Sequence, residues 1–433
     1  MTNNHFFIKK FILVEEKYDL FNLQINEINI WPIIRFNLFS LLLQKCCNTQ
    51  ESHPKVNTVS SLIIVLRNFF ASIIYSPFLL RQNKKTIVFN HKRKVKNDSG
   101  LFECKYTEFL TGDDTYVFEA PFNDKHFKPT ATKNIVYLDL ILNIARIYSI
   151  YGSKKRISPK NLRILDRMHA IIKSEFGVNV NNFNAYVMKM LYKHRAISFF
   201  AERVLKNIKP ERLVVSVSYS DANMPFVEKA KSMGIKVIEI QHGILGRDHI
   251  AYNFMNKKEF NWFPDEIWVW SKFWKKSSRF PISEDKIVVK GFPFLDSYKS
   301  GWKRRETDKQ QILVISQGPF SDNLIEFTRR LNSKINHSKY QIIFKPHPSE
   351  LIPGRKKFQQ LNNENIIVSK ESNIYELFGT SSYQIGVSST ALFEGLEFDL
   401  RTFILDAGPV DIWNDIKGVI MVKNEDDVLK HLS

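Results

Sequence analysis

The chain has 433 residues, 44% of them hydrophobic and 25% charged, which excludes a disordered polymer and favours two folded domains over a single core. Lys and Arg number 63 against 44 Asp and Glu, a formal charge of +19, so an anionic partner is expected: nucleic acid, anionic lipid or a phosphorylated substrate. Cys46, Cys47 and Cys104 form no metal or disulfide pattern and suit a reducing compartment.

The start, Met1-Thr2-Asn3-Asn4-His5, lacks the charged opening and small-residue cleavage site of a secretory signal, so a cytoplasmic protein is expected. Two apolar segments follow. Residues 28–43 carry Trp31, Ile33, Ile34, Phe36, Leu38, Phe39 and Leu41-Leu42-Leu43, broken by Arg35 and Asn37. Residues 62–80 carry Arg67, Asn68 and Pro77 and run into Arg81, Lys84 and Lys85. A crossing helix needs about 20 residues with few charges, so neither segment is read as spanning a membrane. Two readings remain: an apolar side resting in the interface with its cations on anionic headgroups, or a pair of helices buried in the first domain.

From Thr86 the pattern becomes short apolar strands between helix-length polar stretches. Strands are expected at 86–89, 115–118, 135–138, 213–217, 236–240, 266–270 and 287–289, and helical spacing between Leu140 and Asn207. A helix is expected over 225–233, closed by Gly234, and a solvated loop over the basic run 92–96. A boundary falls near Gly291-Phe292-Pro293, giving domains 1–290 and 291–433. The rhythm then restarts at 311–316, 340–344, 365–368, 383–385, 401–405 and 419–422. The expected fold class is α/β: two Rossmann-like domains facing a cleft, with a helical, apolar N-terminal region.

Ligands of open parallel sheets collect at the carboxyl ends of strands. Lys345-Pro346-His347-Pro348 follows one such run, and Gly386-Val387-Ser388-Ser389-Thr390 follows another. Lys345 and His347 both donate hydrogen bonds, and Ser388, Ser389 and Thr390 open a helix start where free N–H groups attract anions. They are expected to hold a donor phosphate, although a structural strand end and an ordinary helix cap account for the same residues. Gln317 and Gly318, ending the first strand of this domain, approach the same place by backbone. Glu394 lies a turn further on and is expected to accept from ribose hydroxyls or to serve as a surface carboxylate.

In the first domain His242 follows the run 236–240, with Gly243 allowing a tight turn. A neutral imidazole there suits a general base acting on an acceptor hydroxyl, the other readings being a turn hydrogen bond or a donor contact. Asp221 and Glu239 are rival carboxylates, and Arg247, Asp248 and His249 are expected to line the acceptor side. No metal site is expected, since the histidines are scattered and Asp113-Asp114 and Asp426-Asp427 sit in polar surroundings.

This ordered set of Gln241-His242-Gly243, Gly291-Phe292-Pro293, Lys345-Pro346-His347-Pro348 and Ser388-Ser389 resembles the GT-B glycosyltransferases that build bacterial capsule, O-antigen and teichoic polymers. The His-Pro and Ser-Ser pair resembles motifs of CMP-sugar transferases for sialic acid and Kdo. The His-Gly step with a later His-Pro resembles teichoic acid glycerophosphotransferases. The acidic-acidic-Gly motif of the sialyltransferases is replaced here by Glu239-Ile240-Gln241-His242-Gly243. The resemblance, which covers residues 214–422, implies a metal-independent transferase without cofactor. It would move a sugar from a nucleotide-sugar donor to a growing lipid-linked O-antigen or capsule chain, peripherally on the inner membrane. The alternatives are a CDP-glycerol or CDP-ribitol type phosphotransferase, an epimerase on the same scaffold, and a non-catalytic nucleic-acid-binding protein. Nucleic acid is not the expected partner, because no nucleic-acid module or Arg-rich helix is present.

Overall fold

The computed structural model describes residues 3–47, 72–80, 82–92, 94–97, 99–122, 125–300, 303, 305–347, 350, 357–361, 363–370, 373–408, 410–414 and 416–432. The chain divides into two compact units, Phe6–Phe292 and Pro293–Ser433, the latter grouped with Met1–His5.

In the first unit all seven expected strands form: β1 (Thr86–Phe89), β2 (Thr115–Glu119), β3 (Ile135–Tyr137), β4 (Arg212–Val215), β5 (Lys236–Ile240), β6 (Glu266–Val269) and β7 (Ile287–Val289). They make one parallel sheet in the order β7-β6-β5-β4-β1-β2-β3. The strands are apolar on both sides because both faces of a parallel sheet are covered. Ile87, Phe89, Leu213, Val215 and Val237 enter one core, and Val88, Val214, Ile238 and Ile240 enter the other.

Two N-terminal helices, α1 (Asn3–Lys17) and α2 (Ile30–Cys47), precede this sheet and bury apolar faces of their own. Trp31, Ile34, Leu38 and Leu42 recur at three- and four-residue steps and are at most 1% exposed, so segment 28–43 is interior. Arg35, which reads as an interruption, is 3% exposed. Its guanidinium donates to Glu15 at 2.6 and 2.9 Å, to the Ile250 carbonyl at 2.5 Å and to the Asn253 carbonyl at 2.8 Å. Trp31 Nε1 donates to the same Glu15 carboxylate at 2.6 Å. Of segment 62–80, residues 62–71 lie outside the described residues. Among the described residues no helix is long and apolar enough to cross a membrane.

The helical stretch resolves into α3 (Asp139–Ser153), α4 (Pro159–Phe176) and α5 (Phe183–Ile208), and α6 (Met224–Ser232) follows β4. Gly234 closes α6 at φ 73°, a conformation that glycine adopts without a Cβ penalty. In the basic run 92–96, expected as a solvated loop, Lys92 and Lys96 are exposed and Lys94 departs from the expectation. The Lys94 side chain is 2% exposed and lies 2.7 Å from Glu119, which also takes His126 Nδ1 at 2.8 Å. A buried carboxylate needs such partners, and the run supplies one.

The second unit holds six strands: β8 (Gln310–Ile315), β9 (Tyr340–Lys345), β10 (Ile366–Val368), β11 (Ser381–Gly386), β12 (Arg401–Leu405) and β13 (Val419–Val422). Their parallel order is β10-β9-β8-β11-β12-β13. α7 (Ser321–Lys334) follows β8, α8 (Ile374–Thr380) precedes β11, and α9 (Thr390–Leu396) follows β11. Both sheets therefore wind outward from a central first strand, return, and wind the other way. Each unit is Rossmann-like, and the expected α/β class holds. The winding reverses between β1 and β4 in one sheet and between β8 and β11 in the other, where the loops part and open a crevice.

Candidate functional site

In the first unit the turn after β5 is shaped by Gln241, which is 1% exposed. Its amide donates to the Gly243 carbonyl at 2.9 Å, and its oxygen accepts from the Trp270 N–H at 2.9 Å. This holds His242, half-buried, at the carboxyl edge of the sheet. The His242 ring lies 5.2 Å from His91 at an interplanar angle of 27°. Tyr106 and Tyr219 rings stand 6.5 Å from it. His91 follows β1, so imidazoles from two strand ends meet beside the switch point.

Glu239 does not face that edge. It is 1% exposed and accepts from Ser218 Oγ at 2.6 Å, the Ser218 N–H at 3.3 Å and the Tyr252 hydroxyl at 2.7 Å. Burial raises its carboxyl to about 7. The expectation of a rival base at Glu239 gives way to a strut that fixes the loop after β4, because a strand side chain beneath two loops is enclosed by them. Asp221 lies in the loop after β4, a third exposed, and accepts from Lys193 Nζ at 3.0 Å and Asn37 Nδ2 at 3.1 Å. Arg247 is exposed and Asp248 half-buried. His249 packs its ring 4.7 Å from Tyr252, and its Nε2 lies 3.3 Å from the Tyr219 hydroxyl. Desolvation pushes the His249 imidazole down to about 4, so it is neutral near pH 7.

In the second unit Lys345 ends β9, is 5% exposed, and donates to the Pro346 carbonyl at 3.2 Å. His347 follows, half-buried, and its backbone N–H donates to Glu350 at 2.9 Å. Ser316 Oγ donates to the same Glu350 oxygen at 2.8 Å, so this carboxylate ties the end of β8 to the loop after β9. Pro348 lies outside the described residues. Across the switch point, Gln317 Oε1 accepts from the Ser388 N–H at 3.3 Å and from Ser388 Oγ at 3.1 Å. Ser389 caps α9 by accepting from the Ala391 N–H at 3.3 Å, and Thr390 is the first residue of that helix. Gly318 opens an exposed turn after β8.

Glu394 is 3% exposed and accepts from the Tyr375 hydroxyl. It belongs to the interior rather than to a ribose site. The reason is the close seating of α9 on β11: a Cβ on Gly395 would stand 2.1 Å from Gln384 Oε1, so Gly395 lets the helix approach and carries Glu394 inward.

The second unit thus gathers Gln317, Lys345, His347, Ser388, Ser389 and Thr390 around the ends of β8, β9 and β11. Such a set of a cation, an imidazole, hydroxyls and backbone N–H groups suits an anion. Among the described residues no group of three or more His, Cys, Asp or Glu side chains is arranged to hold a metal ion. Sequence reading passed over His91 and Glu350, and took Gln241 only as part of the Gln241-His242-Gly243 motif. His91 stands two residues past a strand that was expected, so the rule that found His242 also reaches it. Gln241 and Glu350 each bond a near neighbour, Gly243 and His347, and also a distant one, Trp270 and Ser316, and the distant partners are what no local pattern reveals.

No family profile matches the chain, and no curated protein does. Among solved structures it is similar to the UDP-GlcNAc 2-epimerase of Methanocaldococcus jannaschii, at 14% identity over 80% of this chain and 90% of that one, with a TM-score of 0.46. It is also similar to a wall teichoic acid polymerase, at 14% identity over 87% of this chain and 88% of that one, with a TM-score of 0.42. Likenesses this distant assign neither family nor chemistry, and the fold rests on the strand orders above.

Proposed function

We propose that the chain is a transferase of the GT-B kind that moves a sugar from a nucleotide-sugar donor to a lipid-linked surface polysaccharide. The observation that carries this reading is the second switch point. There Gln317 is bonded to Ser388 across the reversal, while Lys345 and His347 end the neighbouring strand. A nucleotide diphosphate or monophosphate offers the anion that such a set recognises. Lys345, His347 and the start of α9 would stabilise the leaving phosphate without a divalent ion. His242, at the carboxyl edge of the other sheet, would take the proton of the acceptor hydroxyl, and Arg247, Asp248 and His249 would border the acceptor. A polyol-phosphate transfer from a CDP-linked donor would use the same phosphate ligands, and product analysis with CMP-, CDP- and UDP-linked donors separates the two.

The reading is tested at His347. His347→Ala should weaken nucleotide binding by about 1.5–3 kcal/mol, the worth of a hydrogen bond to a charged group, in a protein of unchanged melting temperature. Titration calorimetry against the tightest-binding nucleotide measures it. Unaltered affinity in the folded variant would remove His347 from the site.

A further inference from the structure

α3 turns one side to the core and an apolar side outward. Ile141, Ala145, Ser149 and Gly152 are buried. Ile144, Ile147, Tyr148 and Tyr151 recur at three- and four-residue steps on another face, and are 39%, 56%, 41% and 69% exposed. A surface helix ordinarily carries polar side chains on its outer face. Ile74 and Leu79, in the segment before β1, are 72% and 59% exposed. The ring of Tyr75 lies 4.9 Å from that of Tyr137, two residues before α3.

The charge along this stretch of chain has one sign. Between Asp139 and Asp166 the chain holds no acidic residue, but it holds Arg146, Lys154, Lys155, Arg156, Lys160 and Arg163, all exposed. A nucleic acid would answer the cations and leave four apolar side chains in water. A second copy of this face would bring like charges together. An anionic bilayer answers both features, taking apolar side chains into the headgroup boundary and cations onto phosphates.

We propose that the outer face of α3, with the basic turn 154–156 after it, docks the protein on anionic lipid. Ile147 and Tyr151 enter the boundary region, and Lys154, Lys155 and Arg156 lie along the headgroups with their alkyl stems on the apolar surface. This does not depend on the donor assignment, since none of these residues belongs to the sites above.

Flotation of the full chain with vesicles of phosphatidylcholine, with and without phosphatidylglycerol, tests it. The protein should float with the anionic vesicles at low salt and be released progressively by salt. K154E/K155E/R156E should bind them more weakly by about a hundredfold or more, following the usual contribution of each basic residue near an anionic surface. I147S/Y151S should lose the fraction that stays bound at high salt. Both variants alter exposed positions and should keep the wild-type melting temperature and its response to nucleotides, which separates this proposal from the donor reading. Absence of flotation would overturn it. So would wild-type vesicle binding by both variants, loss of a dimer in I147S/Y151S without change in flotation, or retention on DNA in place of vesicles.

Discussion

Replacing His242 with Ala is expected to lower the transfer rate by roughly two to four orders of magnitude, the usual worth of general base catalysis. The expectation follows from its place at the carboxyl edge of the first sheet, held by a turn that Gln241 fixes from below. The His91 ring stacks beside His242, 5.2 Å away at an interplanar angle of 27°. Nucleotide affinity should stay close to wild type, because the phosphate ligands are carried by the second unit. Asp221→Asn and Glu239→Gln are the comparison variants. Asp221 is bound to Lys193 and Asn37, and Glu239 to Ser218 and Tyr252, so neither change should match the loss at His242. Near-normal turnover in His242→Ala, with abolition in one of the carboxamides, would make the base a carboxylate.

Arg35→Ala should be the most destabilising single change in the first unit, costing about 3–5 kcal/mol, because it leaves the Glu15 carboxylate buried without its cation. Glu15 and Arg35 are 1% and 3% exposed, so solvent cannot take over for either. The guanidinium also holds the Ile250 and Asn253 carbonyls, and the effect should therefore reach the loop that begins at His242. The double variant E15L/R35M removes both charges and should recover part of the loss, since an apolar pair avoids the desolvation cost while Trp31 Nε1 and the Ile250 and Asn253 carbonyls lose these partners. Denaturant unfolding measures both. A cost below about 1 kcal/mol for Arg35→Ala would mean that the pair is open to water.

These results bear on what can be read from the chain. The central strands were legible because they are buried on both faces, which writes a continuous apolar run into the sequence; the edge strands 287–289, 366–368 and 419–422 are partly exposed and were legible from their apolar residues alone. Their spatial order was not, since pairing β1 with β4 joins segments separated by β2, β3 and the three helices α3, α4 and α5. The strand-end rule reached His242, Lys345, His347 and Ser388 for the same reason that it could not judge Glu239 and Glu394. Position along a strand or helix is local, whereas the Ser218, Tyr252 and Tyr375 hydroxyls that enclose those carboxylates come from elsewhere in the chain. Arg35 and Lys94 mislead in the same way. A cation in an apolar run reads as an interruption, and one in a basic run reads as solvated, until Glu15 and Glu119 are found beside them.

The central claim is that the second unit binds a nucleotide at its switch point. Thermal unfolding of the full chain with CMP, CDP, UDP, GDP and dTDP tests it most directly. A nucleotide bound only by the native state, present at a hundred times its dissociation constant, adds about 2.7 kcal/mol and raises the melting temperature in step with its concentration. The account predicts such a rise for at least one of the five, and its loss when Lys345 and His347 are both replaced by Ala. A melting temperature unmoved by all five, or a rise that survives the double replacement, would contradict it.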